Sequence, residues 1–109
     1  MVSLSKIGEN RLIERLTRIL PATDARVIAG IGDDCAVVRV KGCSEDWLLT
    51  SDPVIEGIHF LPGTEPEAIG HKAAGRVLSD LAAMGGKPAF ALIDLVAPAS
   101  TSVKRIEGI

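Results

Sequence analysis

The sequence is poor in aromatic residues. Its 109 residues include two phenylalanines, one tryptophan and no tyrosine, although 47% of the chain is hydrophobic. So few rings do not favour the aromatic platform on which single-stranded nucleic acids stack. The net charge of −2 provides no basic footprint for DNA or RNA either. We therefore expect an aliphatic core and no nucleic-acid partner.

Long apolar runs and recognisable cysteine motifs are also missing. No run approaches 18 apolar residues, and the N-terminus lacks the apolar region of a secretory signal, so we expect a soluble cytoplasmic protein without membrane contact. Cys35 and Cys43 form neither a CxxC pair nor a zinc pattern, and we interpret them as reduced thiols. Neither a Walker motif nor a GxGxxG fingerprint occurs, so any ATP must be bound in another way.

Apolar periodicity in the first half of the chain predicts one helix and a hairpin. The helix begins at Ser5 or Gly8, runs to about Leu20 and ends at Pro21, and a loop then reaches Gly30. Three extended segments follow, the first two of which could pair as a hairpin and the last of which is interrupted by a glycine: 36–40, 47–51 and 54–60.

The second half contains the strongest helix signal. Thr64 and Glu67 predict a capping box for a helix that runs to about Met84 and stops at Gly85-Gly86, with Pro66 in its first turn. The near-continuous apolar run 89–96 predicts a strand, and a helical period restarts after Ser102. Because the chain stops inside that last element, we expect it to be part of a larger protein.

Two adjacent aspartates, Asp33 and Asp34, lie in a glycine turn before an apolar strand. Like charges side by side repel, and a divalent cation would offset them. Magnesium suits such hard oxygen ligands and commonly bridges protein carboxylates to substrate phosphates. The alternative is a pair of solvated turn residues, since aspartate and glycine are ordinary turn formers.

Asp80 falls on the wrong face of its predicted helix. At about 100° per residue, the apolar residues of that helix lie within about 60° of it: Ile69, Ala73, Val77 and Met84. A buried carboxylate needs a partner or a metal. The position near the helix C-terminus is also unfavourable for a negative charge. Placed near the other aspartates, Asp80 would complete a magnesium cluster; the alternative is a rim position with a simple hydrogen bond.

Two further positions carry candidate ligands. Asp52 follows a predicted strand and precedes a proline, which is typical of a structural turn, but the neighbouring Thr50 and Ser51 add hard oxygen ligands. His59 lies among apolar neighbours and is either a structural residue or a hydrogen-bond donor to a phosphate. His71 falls opposite Asp80 on the helix, and we interpret it as a surface residue.

Four segments, in this order, resemble the thiamine-monophosphate kinase family, which belongs to the aminoimidazole-ribonucleotide-synthetase-like ATP-binding superfamily: Gly30-Ile31-Gly32-Asp33-Asp34-Cys35-Ala36-Val37-Val38, Thr50-Ser51-Asp52, Glu56-Gly57-Ile58-His59-Phe60-Leu61-Pro62 and Leu78-Ser79-Asp80-Leu81-Ala82-Ala83-Met84-Gly85-Gly86-Lys87-Pro88. The resemblance implies an α+β N-terminal domain over residues 1–109, with a mixed or antiparallel sheet packed on helices. It further implies sheet pairing across a homodimer, bound ATP and magnesium, and a C-terminal domain outside the chain.

The implied reaction is transfer of the γ-phosphoryl group of ATP to thiamine monophosphate, which gives thiamine diphosphate. By position, the resemblance makes His59 a contact of the thiamine monophosphate and assigns the magnesium ligands: Asp34, Thr50, Ser51, Asp52 and Asp80. Asp33 is a possible further ligand of the metal or of ATP. No catalytic nucleophile is implied, which suits phosphoryl transfer because positioning and charge neutralisation dominate it.

The chain departs from the family at Val77, where an asparagine is usual, and it ends before the family's later Gly-Gly-Asp-Thr and Asp-x-Ser-Asp-Gly motifs. We therefore expect little or no catalysis from residues 1–109 alone. One alternative is a sister enzyme: selenophosphate synthetase, aminoimidazole ribonucleotide synthetase or a hydrogenase maturation factor. The first should carry an N-terminal cysteine, and residues 1–29 contain none. The other alternative is a non-catalytic dimerisation module whose aspartates cap turns.

Overall fold

A computed structural model describes residues 3–20 and 24–109, which form an α+β domain with one antiparallel sheet. In chain order the elements are α1 Leu4–Ile7, α2 Glu9–Ile19, β1 Val27–Ala29, β2 Ala36–Arg39, β3 Asp46–Leu49, α3 Pro66–Ala83 and α4 Val103–Glu107. None of the helices in this described part has the length and hydropathy needed to span a membrane.

The N-terminal helix is divided at Gly8. The φ angle of Gly8 is 73°, a left-handed conformation that glycine adopts without steric cost, so α1 ends there and α2 starts with Glu9. At the other end, Leu20 turns to an extended ψ of 146°. The predicted stop at Pro21 lies outside the described residues.

The sheet has the strand order β1, β2, β3, and both pairings are antiparallel. The predicted hairpin is confirmed as β2 and β3, with Val38 opposite Trp47 and Arg39 opposite Asp46. An ion pair of 2.9 Å between Arg39 and Asp46 closes its turn end. Sequence reasoning missed β1, because a strand of three residues carries too little periodicity to be distinguished from a loop.

Helix α3 has close to the predicted bounds. Pro66 occupies the first turn, and Gly85, with a φ of 68°, follows the C-terminal end. The predicted capping box is wrong, because Glu65 is the N-cap residue and the Thr64 hydroxyl donates instead to the carbonyl of Leu61. The interior face is as predicted: Ile69 is buried, and Ala73, Val77, Asp80 and Met84 are half-buried.

Two extended segments were predicted incorrectly. Residues 54–60 contain a tight turn, in which Gly57 has a φ of 79° and its N–H donates to the carbonyl of Phe60 at 2.8 Å. Residues 89–96 form no strand, because in the described chain no neighbouring strand accepts or donates their backbone hydrogen bonds. Within this segment, Phe90 stacks on Trp47, with ring centroids 6.3 Å apart.

The last helix packs beside the start of α3. Ser102 caps α4, since its hydroxyl accepts a hydrogen bond from the backbone N–H of Arg105 at 3.3 Å. A Cβ atom at Gly108 would lie 3.0 Å from the ring of Pro66, so the two elements approach closely. Among the described residues the buried hydrophobic side chains are Cys35, which is 1% exposed, and Ile69, which is 5% exposed.

Candidate functional site

Helix α3 lies against the chain that leaves β3, here called the 50–59 segment. Three hydrogen bonds join them, and the order along the segment is the reverse of the order along the helix: Thr50 to Asp80, Asp52 to Arg76 and His59 to Lys72. The helix residues are spaced four apart, so they form one ridge of α3. This contact ladder fixes four of the residues that the sequence indicated as a site.

The Asp80 carboxylate is half-buried and accepts a hydrogen bond of 2.7 Å from the Thr50 hydroxyl. This bond gives one of the two Asp80 carboxylate oxygens a hydrogen-bond partner on the apolar face of α3. A hydroxyl carries no charge, however, so it does not neutralise the carboxylate. Asp80 therefore retains its capacity to bind a cation, and Thr50 adds a second hard oxygen beside it.

Asp52 is paired with Arg76, a residue that sequence reasoning missed. One guanidinium nitrogen, Nη2, lies 2.7 Å from both oxygens of Asp52. This hydrogen bond, together with the charges of Asp52 and Asp80, raises the pKa of Arg76. A signal was present in the sequence, because Arg76 precedes Asp80 by one helical turn and lies on the same apolar stripe.

Cys35 lies among the remaining acidic residues. The side chain is 1% exposed. Burial raises the pKa of its thiol, and the negative charges of Asp80, Asp34 and Asp33 raise that pKa further. These three carboxylates, which come from the glycine turn and from α3, are therefore close enough to act on one buried atom.

The two turn aspartates differ in their contacts. Asp33 accepts the backbone N–H of Asp34 at 3.0 Å, which is the structural role that turn chemistry suggested. Among the described residues, nothing donates a hydrogen bond to the Asp34 carboxylate, and both side chains are exposed. Asp34 is thus the freer of the two to bind a ligand from solvent.

The predicted metal ligands are not drawn into one closed shell. In residues 3–20 and 24–109, no three or more His, Cys, Asp or Glu side chains are grouped closely enough to hold a metal ion. Ser51 is exposed beside Asp52. The donor chemistry nevertheless fits magnesium, which keeps several waters and binds one or two carboxylates together with substrate phosphates rather than an all-protein cage.

His59 holds the turn at the end of the 50–59 segment. Its Nδ1 accepts the backbone N–H of Ile55 at 3.0 Å, and its own N–H donates to the carbonyl of Ile55 at 2.8 Å. In the neutral ring the proton then lies on Nε2, which is assigned from this hydrogen bond. His59 thus has the structural role that was one of its two predicted alternatives, and its Nε2 atom can still donate a hydrogen bond to a ligand.

Residues 32–109 match the family described as AIR synthase related protein, N-terminal domain. The chain belongs to this family. The match includes every candidate ligand discussed above, from Asp33 to Asp80, and it agrees with the α+β architecture. No solved structure matches the chain.

Curated relatives of this AIR synthase related domain carry a more specific name. The chain is 41% identical to the thiamine-monophosphate kinase of Aquifex aeolicus over 104 residues, which is 95% of this chain and 31% of that protein. It is 40% identical to the Haemophilus influenzae enzyme of the same name over 92 residues, which is 84% of this chain and 28% of that protein. The Escherichia coli enzyme of the same name is 37% identical over 91 residues, which is 84% of this chain and 28% of that protein. The chain thus spans less than a third of the length of these relatives.

Proposed function

We propose that the full-length protein is a thiamine-monophosphate kinase, which transfers the γ-phosphoryl group of ATP to thiamine monophosphate. The contact ladder between α3 and the 50–59 segment supports this proposal, because it holds three candidate ligand residues, Thr50, Asp52 and His59, against the helix ridge that carries Asp80. The names of the relatives supply the substrate. The 109 residues would form the N-terminal part, which binds ATP and magnesium, of a cytoplasmic homodimer.

The proposed roles follow from the contacts. Bound magnesium supplies neutralisation of the charge on the phosphoryl oxygens. Its ligands would be Asp34, Thr50, Ser51, Asp52 and Asp80, with Asp33 as a further one. Thr50 orients the Asp80 carboxylate through its hydrogen bond. Asp52 would have to exchange part of its contact with Arg76 for the metal.

His59 would bind the acceptor substrate. With Nδ1 fixed by the turn, Nε2 donates to the phosphate of thiamine monophosphate. No side chain of the site is asked to act as a nucleophile, since the acceptor phosphate itself attacks the γ-phosphoryl group. The chain's residues thus position the reactants and balance their charge, which are the two effects on which phosphoryl transfer mainly depends.

The direct test is product formation by the full-length protein. Thiamine monophosphate, ATP and magnesium should give thiamine diphosphate and ADP in equal amounts, and a chelator should stop the reaction. The control omits thiamine monophosphate, so that ATP hydrolysis is measured separately. Turnover of aminoimidazole-type or selenide substrates without thiamine diphosphate would assign the protein to a sister enzyme. Magnesium-independent nucleotide binding, or none, would favour the non-catalytic module.

A further inference from the structure

A basic cavity lies beside the contact ladder. It has a volume of about 440 Å³ and is lined by Asp52, His71, Lys72, Gly75, Arg76 and Ser79. Five of these residues come from consecutive turns of α3, and Asp52 closes the cavity from the 50–59 segment. The lining has two permanent positive charges against one negative charge, so the cavity favours an anion.

Arg76 lines this cavity and has donors that Asp52 does not use. Both contacts to Asp52 are made by Nη2, and the Nε atom is buried without a hydrogen-bond partner among the described residues. A guanidinium has five N–H donors in a rigid fork that suits planar or tetrahedral oxyanions. Asp52 therefore fixes the orientation of the guanidinium without using up its donors.

Lys72 and Gly75 complete the arrangement. The Lys72 ammonium donates to the carbonyl of His59 and has two further donors. At Gly75, a Cβ atom would meet nothing within 4 Å, so this turn of the helix leaves open space at the cavity. Glycine inside a helix costs about 0.5–1 kcal/mol relative to alanine, so its position here is not explained by helix stability.

The cavity also has a definite place along the ladder. Asp80 marks one end of the α3 ridge, next to the proposed metal ligands, and Lys72 marks the other end, next to His59. Arg76 thus lies between the proposed metal-binding end and the end proposed to bind the acceptor substrate. A phosphoryl group that moves from one end to the other carries negative charge, which Arg76 and Lys72 would offset.

We propose that this cavity is a phosphoryl subsite, in which Arg76 and Lys72 bind the oxygens of a substrate phosphate. The assignment of that phosphate to ATP or thiamine monophosphate rests on the proposed function, but the anion-binding property does not. Arg76 acts as a fixed fork that Asp52 orients. Lys72 supplies a positive charge on a flexible side chain at the end of the cavity next to His59.

Phosphate binding to the full-length protein tests this subsite without turnover. The probes are inorganic phosphate, and thiamine compared with thiamine monophosphate, all titrated by calorimetry in the absence of magnesium. Lys72→Met and Arg76→Lys should each weaken inorganic phosphate and thiamine monophosphate by about ten- to a hundred-fold, the equivalent of one charge-assisted hydrogen bond. Binding of unphosphorylated thiamine should not change. Lys41→Met, which removes an exposed lysine from the β2–β3 connection, is the matched control.

A steric variant separates the subsite from effects on folding. Gly75→Leu should be accommodated in the helix, because the position is open, and should raise thermal stability while it blocks phosphate. Loss of phosphate binding in all three variants supports the subsite, even if no thiamine diphosphate is ever formed; that result would contradict only the proposed function. Unchanged phosphate affinity in Lys72→Met and Gly75→Leu, in an enzyme that makes thiamine diphosphate, would overturn the subsite and leave the function standing.

Discussion

Asp80 is both a half-buried residue of the α3 interior face and a candidate metal ligand. A carboxylate on the inner face of α3 is tolerated because the Thr50 hydroxyl satisfies one oxygen and because the site stays partly open to water. Several aspartates act on the same buried thiol. We expect a bound cation to offset the repulsion among these like charges.

The first prediction concerns this charge. Asp80→Asn keeps the size of the side chain and can still accept from Thr50, so the fold should persist. Residues that merely orient a metal ligand contribute about 10–100-fold to affinity, and loss of a ligand charge should weaken magnesium–ATP by at least that factor. Calorimetry with and without magnesium measures it, with exposed Asp94→Asn as the control. Equal nucleotide affinity in both forms would refute the metal role of Asp80.

His59 has two roles that a suitable pair of substitutions can separate. Asparagine places an oxygen near the position of Nδ1, so His59→Asn should keep the turn that Ile55 closes but remove the Nε2 donor. His59→Ala removes both. A hydrogen bond to a charged group contributes about 1.5–3 kcal/mol, so both variants should lose about ten- to a hundred-fold in kcat/KM for thiamine monophosphate.

The KM for ATP should stay nearly constant in both His59 variants. Steady-state kinetics with each substrate varied in turn gives the answer, and melting temperature reports on the turn. Wild-type kinetics in His59→Asn, combined with a loss in His59→Ala, would show that His59 is purely structural.

At the scale of elements, most local signals predicted the structure correctly, with the capping box and the turn at 54–60 as exceptions, whereas the contacts between distant segments were not predicted. The bounds of α3 and the β2–β3 hairpin depend on periodicity, proline and glycine within a few residues, and both were predicted. The same local view gave candidate ligands in the 50–59 segment. Local patterns could not predict the contact ladder between this segment and α3, because the partner of each residue lies 13 to 30 positions away in the chain.

Two further errors have different physical origins. The run 89–96 has the composition of a buried strand, but a strand exists only where a neighbour supplies hydrogen bonds, and no periodicity reveals that neighbour. The turn at 55–60 was mistaken for an extended segment because apolar residues alternate there, while its geometry depends on Gly57 and on the side chain of His59. Sequence reasoning did not single out Arg76 and Lys72, because their partners lie 24 and 13 positions away in the chain.

The hairpin yields a prediction about pH. The hydrogen bond from Arg39 lowers the pKa of Asp46 below its ordinary value of 3.8. The unfolded chain therefore binds this proton more readily, so the ion pair's contribution is present above about pH 4 and is lost as pH falls through the lowered pKa. Asp46→Asn should be less stable than wild type near pH 6, and the difference should vanish at low pH.

Urea unfolding of the full-length protein across this pH range measures the effect of Asp46→Asn. Its size should be small, because the pair is exposed, and high salt should reduce it. Glu45→Gln, at the exposed neighbouring acid, is the matched control. A stability difference that persists unchanged below the pKa of Asp46 would mean that packing, not the ion pair, distinguishes the variants.

The 109 residues are less compact than a typical domain of their length. Its radius of gyration is 17.2 Å, whereas a compact domain of this length has roughly 13 Å. The side chains of Phe90, Leu92, Ile93 and Val96 are 87%, 102%, 90% and 96% exposed. Burial of each would contribute about 1.5–3 kcal/mol, so together they approach the net stability of a typical domain, about 5–15 kcal/mol. Further protein surface must cover them.

We predict that a second copy provides that surface. The segment 89–96 has unpaired backbone groups as well as exposed apolar side chains, and association through the sheet would satisfy both. A symmetric pair is the commonest closed arrangement. The full-length protein should therefore have the mass of a dimer by light scattering, and Leu92→Lys combined with Val96→Lys should shift it toward monomer. Leu4→Lys, at another exposed apolar residue, should not. A monomer mass at every concentration, with the amides of 89–96 protected from hydrogen exchange, would show instead that the protein's own chain covers the segment.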